Sequence, residues 1–292
     1  MRSLLVSHNA GGAALLAAWA AHQSNRHFDC LLSGPAVGIF CQRLPSANLT
    51  ASSALAWARY DCVITSTSAA ETAWETVWIV KARAQKIKTI SLLDHWTNYI
   101  SRFQLQNNLQ FPDEIWVSDD YAQALAVQCR QQQPHYPPVE KIANYYLADL
   151  AEFIQSNHAP ACGVECILFV SEPSFNPLYT AVAALEGFLN FLLATETAER
   201  IIRLRVHPRE DKADYAAVCA RFASRLRLEF SANSRLEDDL CWASWVVGCQ
   251  TMAMVVALAA GLKVNSCLPA CVATSALPHK EIIRLFPAQA TA

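Results

Sequence analysis

The chain has 292 residues, of which 53% are hydrophobic and 16% charged, with 23 basic against 25 acidic side chains. This composition excludes intrinsic disorder for the chain as a whole, and the length predicts about two domains of roughly 150 residues each. The balanced charge argues against a nucleic-acid-binding protein, because such a protein neutralises phosphates with an excess of basic side chains.

Short apolar runs alternate with helical patterns along the first half of the chain. They predict strands at 3–7, 28–33, 62–65, 89–93 and 114–117 and helices at 13–22, 70–85 and 122–132. These strands are apolar throughout instead of at every second position. That pattern is typical of parallel α/β sheets that are covered on both faces.

A second series of the same kind follows. It predicts strands at 166–170, 201–206, 226–230, 245–247 and 264–267 and helices at 179–195, 212–224 and 251–260. The stretch 131–163 between the two series contains four prolines, which is typical of a domain boundary. We therefore predict two Rossmann-like domains, 1–157 and 158–292, with parallel sheets facing each other across a cleft.

Two stretches without any charged side chain, 3–24 and 240–262, need an explanation. The first imitates a signal peptide, and the second is long enough to span a bilayer. Polar residues and glycines interrupt both near the middle, at 8–12 and at 248–251. We therefore interpret each stretch as a strand, a turn and a helix.

Eleven cysteines are present, an odd number without any C-x-x-C pair. Most stand beside aliphatic residues, so we expect reduced, buried thiols in a cytoplasmic protein. A zinc site formed by Cys162, Cys166, Cys267 and Cys271 is the alternative, because zinc ligands do occur at such spacings.

Ligands of parallel α/β sheets bind beyond the carboxyl ends of the strands, so polar residues at those positions are the candidates for a site. The first strand is followed by His8, Asn9, Gly11 and Gly12 and then by a helix. Glycines allow a ligand to approach the backbone, and a helix N-terminus favours anions. A tight strand-to-helix turn without a ligand explains the same residues.

Asp94, His95 and Trp96 follow the fourth predicted strand. The carboxylate or the imidazole is suited to act as a general base on a sugar hydroxyl, and the indole is suited to stack on a pyranose. Structural hydrogen bonding by Asp94 or His95 is the alternative.

Three strand ends in the second half carry further polar candidates. Glu172 follows the first of these strands, and Arg205 and His207 stand in the segment RVHPRE. Arginines beside a histidine suit a phosphate. Gln250 and Thr251 precede an apolar helix, whose first N–H groups form an anion site with them.

These features together resemble the GT-B glycosyltransferases of bacterial surface-polysaccharide assembly. The resemblance rests on the two Rossmann-like patterns, RVHPRE, and VVGCQTMAMVVALAAGLKV after an acidic turn. It is greatest to enzymes with CMP-sugar donors, which are sialyltransferase-like or Kdo-transferase-like. SHNAGG, SGPA, LLDHW and PDEIWVSDDYA are similar to a small bacterial group of the same architecture.

The resemblance implies a metal-independent glycosyltransferase without a cofactor, which moves a sugar from a nucleotide donor to a glycan or lipid-linked acceptor. His207, with Gln250 and Thr251, would contact the donor phosphate, and the N-terminal domain would hold the acceptor, with Asp94 or His95 as base. The protein is expected to be cytoplasmic and to bind no nucleic acid, with peripheral inner-membrane association left open. The alternatives are a nucleotide-sugar 2-epimerase, a polyol-phosphate transferase and an inactive nucleotide-sugar-binding scaffold.

Overall fold

The computed structural model describes residues 2–68, 72–161, 163–173, 177–195 and 199–288. The chain divides into two compact units, residues 1–146 and residues 147–292. The sequence places the boundary after residue 157. The helix at Tyr145–Asn157 begins at the junction and extends into the second unit.

The first unit contains a seven-stranded sheet in the order β3-β2-β1-β4-β5-β8-β9, in which the neighbouring strands are parallel. The sheet strands are β1 (Arg2–Ser7), β2 (His27–Leu32), β3 (Asn48–Leu49), β4 (Cys62–Thr65), β5 (Lys88–Leu92), β8 (Glu114–Val117) and β9 (Val139–Lys141). A separate antiparallel pair is formed by β6 (Gln104–Leu105) and β7 (Asn108–Leu109). The helices of this unit are α1 (Ala10–Ala21), α2 (Ala36–Arg43), α3 (Trp74–Ala84) and α4 (Asp120–Gln132), and α5 (Tyr145–Asn157) runs from its end into the second unit. The start that the sequence predicts for α3, at residue 70, lies outside the described residues.

The second unit contains a six-stranded parallel sheet in the order β12-β11-β10-β13-β14-β15. Its strands are β10 (Glu165–Val170), β11 (Arg200–Arg205), β12 (Arg227–Phe230), β13 (Trp245–Gly248), β14 (Lys263–Ser266) and β15 (Ile283–Arg284). Its helices are α6 (Ala181–Ala194), α7 (Lys212–Phe222), α8 (Leu236–Trp242) and α9 (Met252–Ala259). The two parallel sheets confirm the predicted α/β class.

Both faces of the first sheet are covered, and this explains the continuous apolar strands. Leu5 of β1 packs into one cluster with helix α1, whereas its neighbours Leu4 and Val6 pack into another with Trp78 of α3. Successive side chains of a strand point to opposite faces, so every position of β1 must be apolar or satisfied.

The two charge-free stretches are strand-turn-helix units, as predicted. The first forms β1 and α1, and the second forms β13 and α9. Across the residues described, no helix combines the length and the hydrophobicity needed to cross a membrane.

The cysteines that the structure describes are free thiols, and several are fully buried, including Cys30, Cys62 and Cys166. Cys162, a member of the alternative zinc site, lies outside the described residues. Of the other pair, Cys267 is buried and Cys271 is exposed. Within the described part of the chain, no three potential metal-ligating side chains converge.

Candidate functional site

Each sheet has a point at which the order of its strands reverses, and this is where open α/β sheets bind ligands. In the first unit the reversal lies between β1 and β4, and in the second it lies between β10 and β13. The loops that follow these four strands carry most of the predicted site residues, so each unit has its own candidate edge.

The loops after β1 and β4 are tied together by one buried carboxylate. Glu75 is 2% exposed, and its Oε1 accepts hydrogen bonds from the His8 backbone N–H and from the Ser66 hydroxyl, both at 2.9 Å. The Ser68 hydroxyl donates to the other oxygen. Ser66 also bonds to the Ser7 hydroxyl at 2.7 Å. With both oxygens occupied, Glu75 fixes the shape of the first edge.

Two glycines open the first turn of α1. A Cβ at Gly12 would lie 2.7 Å from the Ser66 Cβ, and a Cβ at Gly11 would lie 2.8 Å from Asp94 Oδ2. Asn9 precedes the helix without a side-chain cap. The predicted close approach of backbone at this turn therefore exists, with the first N–H groups of α1 uncapped by the Asn9 side chain.

His8 lies beside Gly34 and Trp74. Its ring centre is 6.0 Å from the Trp74 ring, and a Cβ at Gly34 would lie 2.7 Å from His8 Cε1. The buried His8 Nδ1 has no hydrogen-bond partner among the described residues. His8 thus packs into the loop, while its backbone is held by Glu75.

Asp94 has one oxygen that accepts two hydrogen bonds and one that lies next to Gly11. Its Oδ1 accepts hydrogen bonds from Arg102 Nη1 and from the Thr67 hydroxyl, both at 3.0 Å. Its Oδ2 faces Gly11, which is exposed. The sequence indicated Asp94 but missed Arg102, which lies in a short 3₁₀ helix, Ser101–Phe103, and carries no motif.

His95 has a fixed tautomer. Its Nδ1 accepts a hydrogen bond from the Trp96 backbone N–H at 3.0 Å, so the neutral ring carries its proton on Nε2. Burial lowers the pKa of His95, which favours this neutral form. A ring in that state donates a hydrogen bond from Nε2, which leaves Asp94 as the better of the two predicted bases.

Trp96 differs from its prediction. The side chain is buried, and its indole N–H donates to Asp119 Oδ2 at 2.9 Å. Asp119 in turn caps α4 by accepting from the Ala122 N–H at 2.6 Å. The indole is thus committed to packing between β5 and α4 instead of offering a face to a pyranose.

In the second unit, Glu172 joins the loops on either side of the strand reversal. Its Oε2 accepts from the Gln250 backbone N–H at 3.0 Å and its Oε1 from the Tyr179 hydroxyl at 2.8 Å. Burial raises the pKa of Glu172. The Gln250 side chain donates to the Tyr179 hydroxyl at 3.2 Å and accepts from the Ala276 N–H at 2.8 Å. Both predicted residues therefore shape the loop, and their polar side-chain atoms are already engaged.

His207 stands at the carboxyl end of β11 on a hydrogen-bonded support. Its N–H donates to the Ser171 hydroxyl at 2.8 Å, and Ser171 donates to Glu210 at 2.6 Å. Its Nδ1 accepts from the Arg209 N–H at 3.1 Å. Burial lowers the pKa of His207, so the neutral ring presents Nε2–H as a donor.

Arg205 does not stand free for a phosphate as the sequence predicts. Its guanidinium donates to Asp239 Oδ2 at 2.7 Å and to the carbonyl oxygens of Asn233, Ser234 and Arg235 at 3.0–3.1 Å. This arginine holds the turn after β12. Its partners come from a turn and helix far along the chain, which the local RVHPRE pattern could not reveal.

The turn between β13 and α9 brings backbone close to β10. A Cβ at Gly248 would lie 2.9 Å from the Val170 carbonyl oxygen, so glycine is required there. Thr251 precedes α9 without a side-chain cap, and its carbonyl accepts from the Met254 N–H at 3.0 Å. The N–H groups of Met252 and Ala253, which begin α9, are not capped by the Thr251 side chain and suit an anion.

No protein-family model matches the chain, and the search of curated proteins finds no match. Solved structures do match it. UDP-GlcNAc 2-epimerase from Methanocaldococcus jannaschii, in complex with UDP-GlcNAc and UDP, is 10% identical with a TM-score of 0.63, over 98% of this chain and 89% of that one. The enzyme from Neisseria meningitidis, bound to UDP-GlcNAc, is 10% identical with a TM-score of 0.57, over 92% and 88%. Anabaena HepE, in complex with UDP and glucose, is 12% identical with a TM-score of 0.57, over 97% and 85%.

The chain has the GT-B fold. The matched structures are proteins of this fold, and they align over almost the whole chain. At identities of 10–12% the likeness establishes the fold and leaves the reaction to be argued from the residues.

Proposed function

We propose that the protein is an enzyme that acts on a nucleotide sugar, with glycosyl transfer as its reaction. The observation that carries the proposal is His207, a neutral donor held by Ser171 and Arg209 at a strand end of the second unit. A fixed N–H donor suits a phosphate oxygen on which charge develops as the sugar departs.

The second unit has a further feature suited to phosphate. The uncapped first turn of α9 offers backbone N–H groups, and the helix dipole favours negative charge there. Gly248 and Glu172 hold this turn in place. In the proposed complex, His207 and the α9 amides share the charge of the departing nucleotide phosphate.

The first unit supplies the base. Asp94 Oδ2 takes the proton from the acceptor hydroxyl as that oxygen bonds to the anomeric carbon, and the bond from that carbon to the phosphate oxygen breaks. The electron pair of that bond goes to the phosphate oxygen, and the nucleotide leaves with the negative charge. General-base assistance of this kind contributes about 100-fold or more to a rate.

A UDP-sugar is the donor that the comparisons favour over the CMP-sugar expected from the sequence. Four of the matched structures contain UDP or UDP-GlcNAc. We therefore propose UDP as the nucleotide and keep CMP as the competing candidate.

A thermal-shift panel tests the nucleotide. The full chain is heated with UDP, CDP, CMP, ADP or GDP, each at the same concentration. A ligand at 100 times its Kd stabilises the folded state by about 2.7 kcal/mol, which raises the melting temperature measurably. UDP is expected to give the largest shift. A largest shift with CMP restores the CMP-sugar donor, and no shift with any nucleotide contradicts the proposal.

Epimerisation at C2 of UDP-GlcNAc is the second candidate, because several matched structures are UDP-GlcNAc 2-epimerases. Moving a proton at a sugar carbon requires groups that remove it and return it. At the first edge, Glu75 and Asp119 have both oxygens occupied by donors, whereas Asp94 keeps one open. Of these three carboxylates, Asp94 alone has an oxygen without a donor among the described residues, which fits transfer better than a reaction that needs an acid and a base.

The two reactions separate cleanly in one experiment. UDP-GlcNAc is incubated with the enzyme alone, and the nucleotide sugars are analysed by anion-exchange chromatography and proton NMR. Appearance of a C2 isomer without any acceptor establishes the epimerase. Release of UDP that rises when a glycan acceptor extract is added, with no isomer, establishes transfer.

A further inference from the structure

We propose that Arg102 and Thr67 are positioning residues for Asp94, and that Gly11 keeps its reactive oxygen accessible. This inference rests on the proposed role of Asp94 as base. It adds Arg102 and Thr67, for which neither the sequence pattern nor the comparisons gave a role.

Arg102 is held in place by hydrogen bonds other than those to Asp94. Its backbone N–H donates to the Asn98 carbonyl at 3.1 Å, and its carbonyl accepts from the Thr76 hydroxyl at 3.2 Å. Its Nε donates to the Thr97 carbonyl at 3.1 Å. The guanidinium, whose side chain is 12% exposed, therefore enters the site in one orientation.

The positioned guanidinium and Thr67 act on the same carboxylate oxygen. Arg102 Nη1 donates to Asp94 Oδ1 and also to the Thr67 hydroxyl at 3.2 Å, while that hydroxyl itself donates to Oδ1. Two donors on one oxygen prevent the carboxylate from rotating about the Cβ–Cγ bond of Asp94. Oδ2 is left as the oxygen that is turned toward a reacting hydroxyl.

The opening in front of Oδ2 depends on the absence of a side chain at Gly11. A Cβ there would lie 2.8 Å from Oδ2, which is closer than ordinary contact, and Gly11 is itself exposed. The alanine methyl would occupy the approach to Oδ2. Gly11 and Arg102 thus contribute to one arrangement, since the first clears the path to the oxygen that the second orients.

This arrangement predicts a loss of turnover without a comparable loss of binding. A base that can rotate spends less time in the reactive geometry, and small misplacements lower the rate steeply. We expect Arg102→Met to lower kcat by about 10-fold to 100-fold with KM within about twofold. Arg102→Lys retains the charge but not the planar set of donors, so it should recover little of the rate.

The test uses the full chain with UDP-GlcNAc and the glycan acceptor extract and measures UDP release. Arg83→Met is the matched control, because Arg83 lies in the same unit, bonds the Phe111 carbonyl and is half exposed. Thr67→Val is compared with Thr67→Ser, which keeps the hydroxyl. Melting temperatures verify that each variant folds. Added guanidinium should restore turnover to Arg102→Ala, a rescue that a purely structural role would not give.

The outcomes separate the two proposals. If Asp94→Asn abolishes turnover while Arg102→Met and Thr67→Val turn over like the wild type, the positioning role is wrong and the proposed function stands. If Asp94→Asn turns over like the wild type, or if neither Asp94→Asn nor the wild type releases UDP, the proposed role of Asp94 is wrong. Crystal structures of Arg102→Met and Arg83→Met then decide the positioning independently of activity. An Asp94 carboxylate that keeps its orientation without Arg102 overturns it, and one that rotates supports it.

Discussion

Asp239 allows the sharpest stability prediction. The side chain is fully buried at the start of α8, where it accepts hydrogen bonds from two arginines, a serine and an asparagine. Oδ2 accepts from Arg205 at 2.7 Å and from the Ser231 hydroxyl at 2.6 Å, and Oδ1 accepts from Asn233 at 2.7 Å and from Arg203 at 3.4 Å. Replacement by alanine leaves four donors without this acceptor.

The magnitude follows from what the partners keep. Breaking a buried ion pair costs about 3–5 kcal/mol when the remaining charge has no other partner. Here Arg205 retains three backbone carbonyls, and Arg203 retains Glu229 at 2.7 Å and its stack on Trp242. We therefore expect Asp239→Ala to lower the free energy of unfolding by about 2–4 kcal/mol, which is less than the full cost of breaking a buried ion pair.

Urea unfolding of the full chain, followed by circular dichroism, measures this loss. With an m-value of about 1–3 kcal/mol per molar, a loss of 3 kcal/mol lowers the midpoint by roughly 1–3 M. Asp238→Ala is the control, because Asp238 stands in the same turn of α8 but is exposed, and it should cost about 0.3–1 kcal/mol. Equal midpoints for the two variants would refute the structural role given to Asp239 and to Arg205.

Two further predictions concern packing and pH. Gly12→Ala should destabilise the fold by about 1–3 kcal/mol in the same urea assay, because the new methyl meets Ser66. Gly38→Ala should stabilise α2 by up to about 1 kcal/mol, because no atom lies within 4 Å of its new Cβ. The reverse order of the two stabilities would contradict this packing. Burial lowers the pKa values of His95 and His207 in the folded chain. Below about pH 6.5 the unfolded chain therefore binds more protons than the folded chain, and stability should fall as the pH drops. Replacing both histidines with glutamine should flatten the melting temperature between pH 7.5 and 5.5, and an unchanged slope would count against these shifts.

The main strands were predictable because a strand that is buried on both faces needs apolar residues at successive positions, which appear in the sequence as a continuous apolar run. The strands β1, β4 and β8 lie within a residue of their predicted positions, and the polar loops after them lie at one edge. The short edge strand Val139–Lys141 was missed, since three residues after two prolines are too few to show a period.

The candidate site was predictable in its location and less so in its roles. Polar residues after strands marked the two points at which the strand order reverses, but their partners come from other elements. Arg102 reaches Asp94 from a 3₁₀ helix, and Arg205 meets Asp239 34 residues further along the chain. Such contacts depend on side-chain geometry in the folded state, which local spacing does not encode.

Calorimetric titration of UDP measures whether the strand end at His207 holds a nucleotide phosphate. We expect the wild type to bind UDP and His207→Ala to bind it about tenfold or more weakly, a loss of at least about 1.4 kcal/mol. The exposed His27, changed to alanine, should leave the Kd as in the wild type. Equal affinity of His207→Ala and the wild type, or no binding by the wild type, would contradict the claim that this strand end holds a nucleotide phosphate.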